Sequence, residues 1–330
     1  MRRQDGKTAR RQESLPPDRS KPRTKTRDVS APVTLSPYHA ITPALLDSST
    51  SRLLDLALAE DIGGGDVTTT LTVPAERQAR GRLLVKAEGV ISGIDVAGEV
   101  FRRVDPAIAF TPLVADGDAV ASMTPIATVE GPARSLLTAE RVALNLLQRL
   151  SGVATVTARY VEAVRETKAR IVDTRKTTPG LRALEKAAVR HGGGHNHRFG
   201  LTDGVLIKDN HLAAVGGADR VARAVCLARQ GAPHTLRIEI EVTTLDELAQ
   251  ALEAGADVVL LDNMDVAAMR QAVAMTAGQA LLEASGGVTL ESVAEIAATG
   301  VDLISVGALT HSAPALDISL ELDLAESRRP

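Results

Sequence analysis

The 330-residue chain has little with which to staple, stack or span: one cysteine, no tryptophan and 2% aromatic residues. A single thiol excludes an internal disulfide framework and a zinc site built on thiolates. That thiol, Cys226, lies in VARAVCLARQ, which reads as an amphipathic helix. A buried structural thiol is expected there rather than a nucleophile. Scarce aromatics leave the core to Leu, Val, Ile and Ala and argue against a stacking surface for single-stranded nucleic acid. No apolar run approaches the roughly 18 residues of a membrane span. With few cysteines and no secretory signal, the expectation is a cytoplasmic protein with no membrane or nucleic-acid partner.

What is present is the profile of a globular protein, 44% hydrophobic and 24% charged. The net charge of -3 conceals an asymmetry. Residues 1–30 carry ten Lys or Arg against four Asp or Glu, leaving 28 basic and 37 acidic residues elsewhere. The polar, proline-punctuated stretch of residues 1–38 predicts a disordered basic tail. An ordinary tail is favoured over a nucleic-acid arm or a targeting peptide. The remainder is acidic overall, so a basic cluster inside it needs a reason.

A short helix is expected from about residue 42, with Leu45, Leu46, Leu53, Leu54, Leu56 and Leu58 on its apolar side. Residues 79–130 show short β-like runs separated by turns, and residues 133–168 a long amphipathic helix. Strand-like runs then recur at 171, 205, 238, 258, 281 and 303, separated by helical segments. Repeated βα units predict a parallel sheet covered by helices. An open doubly wound sheet and a barrel are the two candidates. Polar residues fall at the C-terminal end of nearly every strand, which favours a barrel of six or seven strands, where all strand ends converge.

The chemistry concentrates in residues 173–211, DTRKTTPGLRALEKAAVRHGGGHNHRFGLTDGVLIKDNH. Arg175 and Lys176 follow a strand, His197 and Arg198 follow a glycine run, and Lys208 ends the next strand. Arginine offers a planar fork to carboxylate or phosphate, and lysine a point charge. Clustered cations repel unless an anion lies between them. The bland alternative is a solvated basic face paired with nearby acids. In IEIEV, Glu239 and Glu241 share a face of one strand, which in a barrel is the interior. Glu241 and Asp262, at adjacent strand ends, could hold Mg²⁺ beside phosphate oxygens, or could simply pair with the cations. The small-residue turns EASGGV (283–288) and SVGALTH (305–311) expose backbone N–H groups suited to phosphate. The H-x-H spacing of His195 and His197, near His191, raises a metal-hydrolase reading, disfavoured by its place in a glycine loop.

Together these segments resemble the quinolinate phosphoribosyltransferases. AEDIGGGDVTT, ERVALNLLQRLSG, DTRKTTPGLRALEKAAV, HGGGHNHRFGLTDGVLIKDNH, IEIEV, LLDN, EASGGV and GVDLISVGALTHS occur in the family's order over roughly residues 45–325. The resemblance implies an N-terminal β-rich α/β sandwich domain (39–150) and an incomplete six- or seven-stranded α/β barrel (151–330). The segment near 311–325 would pack back on the first domain. It implies transfer of a phosphoribosyl group from 5-phosphoribosyl 1-diphosphate to quinolinate, with Mg²⁺, giving nicotinate mononucleotide, pyrophosphate and CO₂ in NAD biosynthesis. Quinolinate contacts then map onto Arg175, His197 and Arg198, with Lys176 at the substrate junction and Thr174 among the substrate-binding residues. Lys208, Glu241 and Asp262 map onto the ribose, pyrophosphate and metal region. The 5′-phosphate loops map onto Ser285, Gly286 and Gly287 and onto Val306, Gly307 and Ala308. Arg141 matches a residue donated across a homodimer with shared active sites; assembly beyond the dimer stays open. Two other readings compete: a related phosphoribosyltransferase acting on another anion, and a non-catalytic binder of phosphorylated metabolites.

Overall fold

The computed structural model describes residues 48–323. The expected basic tail, Leu45 and Leu46 lie outside them. The first half of the described chain runs α1 (Ser48–Ile62), α2 (Val67–Thr72), β1 (Gln78–Val85), β2 (Gly89–Val90), α3 (Ile94–Val104), β3 (Ala109–Pro112), β4 (Ala119–Val120), β5 (Pro125–Pro132) and α4 (Ala133–Val164). The second half begins β6 (Arg170–Val172), α5 (Arg182–His191), β7 (Val205–Ile207), α6 (Asp209–Val215), α7 (Arg220–Gly231), β8 (Ile238–Val242) and α8 (Leu245–Glu253). It continues β9 (Val258–Asp262), α9 (Val266–Thr276), β10 (Leu281–Ser285), α10 (Val293–Ala297), β11 (Leu303–Ser305), α11 (Ala308–His311) and β12 (Ile318–Asp323). No helix among the described residues is long and apolar enough to cross a membrane.

Two sheets carry the fold. The smaller is antiparallel, in the order β12-β1-β5-β3, with Leu83 of β1 facing Leu320 on one side and Ala127 on the other. Its last strand comes from the end of the described chain. The helix α3 packs against α4 and β3 with Val96, Ala97, Val100 and Phe101 buried. Sequence patterning missed this helix: its apolar residues sit among strand-like runs, and Gly93, at φ 95°, starts it without a side-chain cap. α4 joins the two halves, packing on α3, β5 and β12 and also on α5 and β6. Its buried Leu136, Leu144, Leu147 and Leu150 form the expected apolar face.

The larger sheet is parallel, in the order β6-β11-β10-β9-β8-β7. All six expected strands are present. Val172, Val205, Glu239, Val258, Glu283 and Leu303, one from each strand, line a single cavity of about 350 Å³. The sheet therefore curls around a common interior, as a barrel does. It is incomplete, because no ladder joins β6 to β7 among the described residues. At that seam His195 makes one parallel bridge to Val172, its amide donating to the Ile171 carbonyl at 2.8 Å. Helix starts are set by side-chain oxygens: Thr244 accepts from the Glu247 amide and Asp265 from the Ala268 amide.

Two expectations need correcting. Cys226 is exposed. The inward stripe of α7 is Val221, Ala224 and Val225, which places the next residue on the outward side. On α1, Leu54 and Leu58 are buried but Leu56 is 70% exposed, since a position two residues from Leu54 leaves the inward face.

Candidate functional site

The turn after β6 is locked from several directions. Asp173, wholly buried, ion-pairs with the equally buried Lys186 of α5. It also accepts from Asn196 Nδ2 at 2.6 Å and from the His197 amide at 2.8 Å. Burial pushes the Asp173 carboxyl up and the Lys186 ammonium down, and their mutual attraction opposes both shifts. Beyond it, Thr174 Oγ1 accepts from the Lys176 amide at 3.0 Å, and Thr310 Oγ1 donates to the Lys176 carbonyl at 2.8 Å. Arg182 of α5 bonds Thr177 Oγ1 at 3.0 Å and the Arg175 carbonyl at 3.4 Å. Sequence reasoning did not single out Lys186, Arg182 or Thr310. A buried lysine inside ALEKAAVRH gives no signal of its own.

This scaffold presents Arg175 and Arg198. The Nε atoms of both are buried with no hydrogen-bond partner. Arg198 Nη1 donates to the Gly204 carbonyl at 3.2 Å. Burial lowers the Arg198 pKa, and the charge of Arg175 lowers it further. Two guanidinium groups close enough to repel, each with an orphan donor, are unfavourable until an anion lies between them.

His197 is tied at every polar atom. Its amide bonds Asp173, and its carbonyl accepts from Lys186 Nζ at 3.0 Å. Nδ1 accepts from the Arg198 amide at 2.7 Å, and Nε2 lies 3.0 Å from Glu239 Oε2 and 3.7 Å from Glu283 Oε2. His197, Glu239 and Glu283 are the one group of three or more potential metal ligands gathered among the described residues. Burial works against a charged His197 ring, but its hydrogen bond to Glu239 and the nearby Glu283 charge outweigh that and raise its pKa. Burial, with Glu239 adding to it, raises Glu283 to about 7. The H-x-H pair of the hydrolase alternative is not gathered with other ligands: the group at His197 includes neither His195 nor His191, and His191 bonds Ser92 at 2.8 Å.

Across the mouth, Lys208, between β7 and α6, places Nζ 2.7 Å from Glu241 Oε2 on β8. Asp262 ends the adjacent strand β9, and its Oδ2 accepts from the Asn263 side chain at 2.8 Å. Each carboxylate keeps a second oxygen outside these bonds. The turns after the paired strands β10 and β11 supply donors. The amides of Gly286, Gly287, Gly307 and Ala308 make no hydrogen bond among the described residues. The Val306 amide, by contrast, is spent on the Val172 carbonyl at 3.0 Å. Gly286 sits at φ 94°, where a Cβ would come within 2.2 Å of Asn263 Oδ1, so Ser285-Gly286-Gly287 can close only with glycine in the middle. A Cβ at Gly307 would crowd Lys176 Cδ at 3.2 Å. Lys176 is thus seated against the β11 turn. Arg141 stands apart: its side chain is 58% exposed and its ion-pair partner is the neighbouring Glu140, at 3.9 Å.

Comparison with known proteins matches this arrangement. Residues 66–151 match the N-terminal domain, and residues 153–321 the C-terminal domain, of quinolinate phosphoribosyl transferase. A nicotinate-nucleotide pyrophosphorylase [carboxylating] of Mycobacterium leprae is 50% identical over 272 residues, 81% of this chain and 94% of that protein. A probable nicotinate-nucleotide pyrophosphorylase [carboxylating] of Bacillus subtilis is 45% identical over 274 residues, 83% of this chain and 93% of that one. The solved nicotinate-nucleotide pyrophosphorylase of Francisella tularensis superposes with a TM-score of 0.78 at 42% identity, covering 83% of this chain and 96% of its own. With both domain models matched in sequence order and these relatives covered almost end to end, the chain belongs to the quinolinate phosphoribosyl transferase family.

Proposed function

We propose that this chain transfers the 5-phosphoribosyl group of 5-phosphoribosyl 1-diphosphate to quinolinate, releasing pyrophosphate and CO₂ and forming nicotinate mononucleotide. The relatives' names carry the reaction, and one observation ties it to this site. Arg175 and Arg198 each bury an orphan Nε at one mouth of the barrel, a pairing suited to a small dicarboxylate. The four unspent amides after β10 and β11 suit the 5′-phosphate.

The chemistry follows from where charge moves. The ring nitrogen attacks C1 of the ribose as the C1–O bond to diphosphate breaks. Arg175 and Arg198 fix the dicarboxylate and so align the nitrogen. Lys176 and Lys208 face the charge that builds on the departing diphosphate. Glu241 holds Lys208 in place and offsets positive charge near C1. Once quaternised, the ring accepts the electron pair of the C2–carboxylate bond, CO₂ leaves, and C2 takes a proton. The residues do not need to supply a strong base.

Glu241 and Asp262 fit Mg²⁺, as two oxygen ligands on neighbouring strands with an oxygen apiece uncommitted. Bound there beside the diphosphate, the ion would neutralise the leaving group. We further place Arg141 in the site of a partner subunit, which makes the working unit a homodimer, and the enzyme in the cytoplasm. Incubating the protein with quinolinate, 5-phosphoribosyl 1-diphosphate and Mg²⁺ and following nicotinate mononucleotide tests the function. Absence of product from folded protein would overturn it.

A further inference from the structure

Lys176 and the unspent amides of Gly307 and Ala308 sit on the turns after two paired strands, β6 and β11. One buried network ties those turns to each other and to α4. Glu185 of α5 is wholly buried. Its Oε1 accepts from Arg149 Nε at 3.1 Å, Arg149 Nη2 at 2.8 Å and Thr178 Oγ1 at 2.8 Å, and its Oε2 from the Thr178 amide at 2.9 Å. Arg149 of α4 reaches onward, Nη1 donating to the Ala313 carbonyl at 2.9 Å and Nη2 to the Thr310 carbonyl. Thr310 closes the ring: fully buried, it donates from Oγ1 to the Lys176 carbonyl at 2.8 Å. A buried carboxylate is costly unless it is paired and bonded throughout, as Glu185 is. Both of its oxygens are spent inside the network, so it serves position rather than substrate. The bridge needs a guanidinium, since one fork spans a carboxylate and two carbonyls at once and a single ammonium does not.

We propose that Arg149 and Glu185, acting through Thr310 and Thr178, are positioning residues that lock the Lys176 turn to the 5′-phosphate turn and so set the span between the two ends of bound 5-phosphoribosyl 1-diphosphate. The β11 turn holds the cosubstrate at its 5′-phosphate, and Lys176 faces its diphosphate. The separation of those two anchors decides where C1 lies relative to the attacking nitrogen. A misplacement of about 1 Å at such a centre costs on the order of 100-fold in rate. The β6 turn has no regular structure of its own, and α11 is only four residues long. Their fixed spacing is borrowed through Arg149 from α4, a helix of 32 residues. The fit is close, since a Cβ at Gly307 would stand 3.2 Å from Lys176 Cδ. The proposal rests on the phosphoribosyl-transfer reading above and specifies how its cosubstrate is aligned.

The discriminating variants are Thr310→Val, Thr310→Ser, Arg149→Lys and the double variant Thr310→Val/Arg149→Lys. Steady-state kinetics with 5-phosphoribosyl 1-diphosphate varied are compared with quinolinate affinity by titration calorimetry on the full chain. Valine keeps the shape of threonine and loses the donor, whereas serine keeps the donor and loses a methyl. Packing alone therefore ranks valine above serine, and positioning ranks serine above valine. Thr310→Val and Arg149→Lys are each expected to lower kcat/KM for 5-phosphoribosyl 1-diphosphate about tenfold, with quinolinate affinity within about threefold of wild type. Thr310→Ser is expected to stay within about twofold of wild type. Because both changes cut one ring, the double variant is expected to lie within about twofold of the worse single variant. Equal kcat/KM in Thr310→Val and Thr310→Ser would assign Thr310 to packing and overturn the proposal. So would a loss in the double variant that multiplies the two single losses, or quinolinate affinity falling in step with kcat/KM. If Arg149→Lys fails to fold by circular dichroism, the two Thr310 variants still decide the matter. No product from the folded wild-type chain would instead refute the function itself.

Discussion

Lys208 Nζ lies 2.7 Å from Glu241 Oε2, among the described residues the one ion pair that bridges β8 and the residue after β7 at the mouth of the barrel. Half of the Lys208 side chain is covered and Glu241 is largely buried, so the pair is better shielded than a surface bridge. Removing Lys208 leaves Glu241 as an unopposed negative charge where diphosphate should sit. Lys208→Ala should therefore lower kcat/KM for 5-phosphoribosyl 1-diphosphate by about 100-fold or more, while quinolinate affinity changes less than about threefold. Glu241→Gln should raise the Mg²⁺ concentration needed for half-maximal rate by about tenfold. Steady-state kinetics with each substrate and Mg²⁺ varied in turn distinguish the two effects.

The buried orphan nitrogens of Arg175 and Arg198 make a second expectation quantitative. Losing one guanidinium from a shielded anion costs on the order of 3 kcal/mol. Arg175→Ala or Arg198→Ala should weaken quinolinate binding by about 100-fold, read by the same titration. Less than a threefold change in both would remove the anion from this pair.

Glu283 gives a pH dependence of fixed sign. Its pKa is raised to about 7 from an ordinary value of 4.5, mainly by burial, with the Glu239 charge adding to it. The folded chain thus keeps a proton that the unfolded chain loses as pH climbs above 4.5. The stabilisation is fully present below that value and is lost as pH rises through about 7. Glu283→Gln cannot ionise, so it should gain on wild type across this window. On the order of 2 kcal/mol is expected, seen as a relative rise of about 5 °C in melting temperature between pH 5 and 8. Parallel melting curves for the two proteins across that range would refute the assignment.

Arg141 tests the shared site. Among the described residues its exposed side chain has a single weak ion-pair partner, Glu140. Arg141→Ala should abolish activity without changing the melting temperature. Mixing Arg141→Ala with Lys208→Ala subunits should restore activity, toward about a quarter of wild type when exchange is complete, because one hybrid site then has both residues intact. No recovery after demonstrated exchange would place Arg141 outside the site.

How much of this was legible from the sequence depended on range. The six barrel strands could be read because each is a short apolar run, several entered through a helix-stop such as Ala-Gly-Ala-Asp at 254–257. The strand-end residues Lys208, Glu241 and Asp262 could be read from the same pattern, since strand ends converge once a barrel is assumed. Lys186 could not, because its burial depends on how α5 packs against α4 and on Asp173, just after β6, reaching it. Glu239 was recognised as an interior carboxylate needing a partner, but that its partner is His197 follows only from how the loop at 192–198 folds back into the seam. Cys226 went wrong for the opposite reason: helical periodicity was evident, and the phase of the helix was not.

The placement of β12 beside β1 has a consequence for how the protein is made. β1 emerges from the ribosome early, and its partner on one side is the last strand described. Until translation passes Asp323, that edge of β1 has no strand to pair with, and unpaired edges recruit other chains. The barrel is finished before the smaller sheet is. A few residues lost from the C-terminal side of Ile318 would therefore leave the catalytic mouth intact and the nascent protein prone to aggregate, a defect of assembly rather than of chemistry.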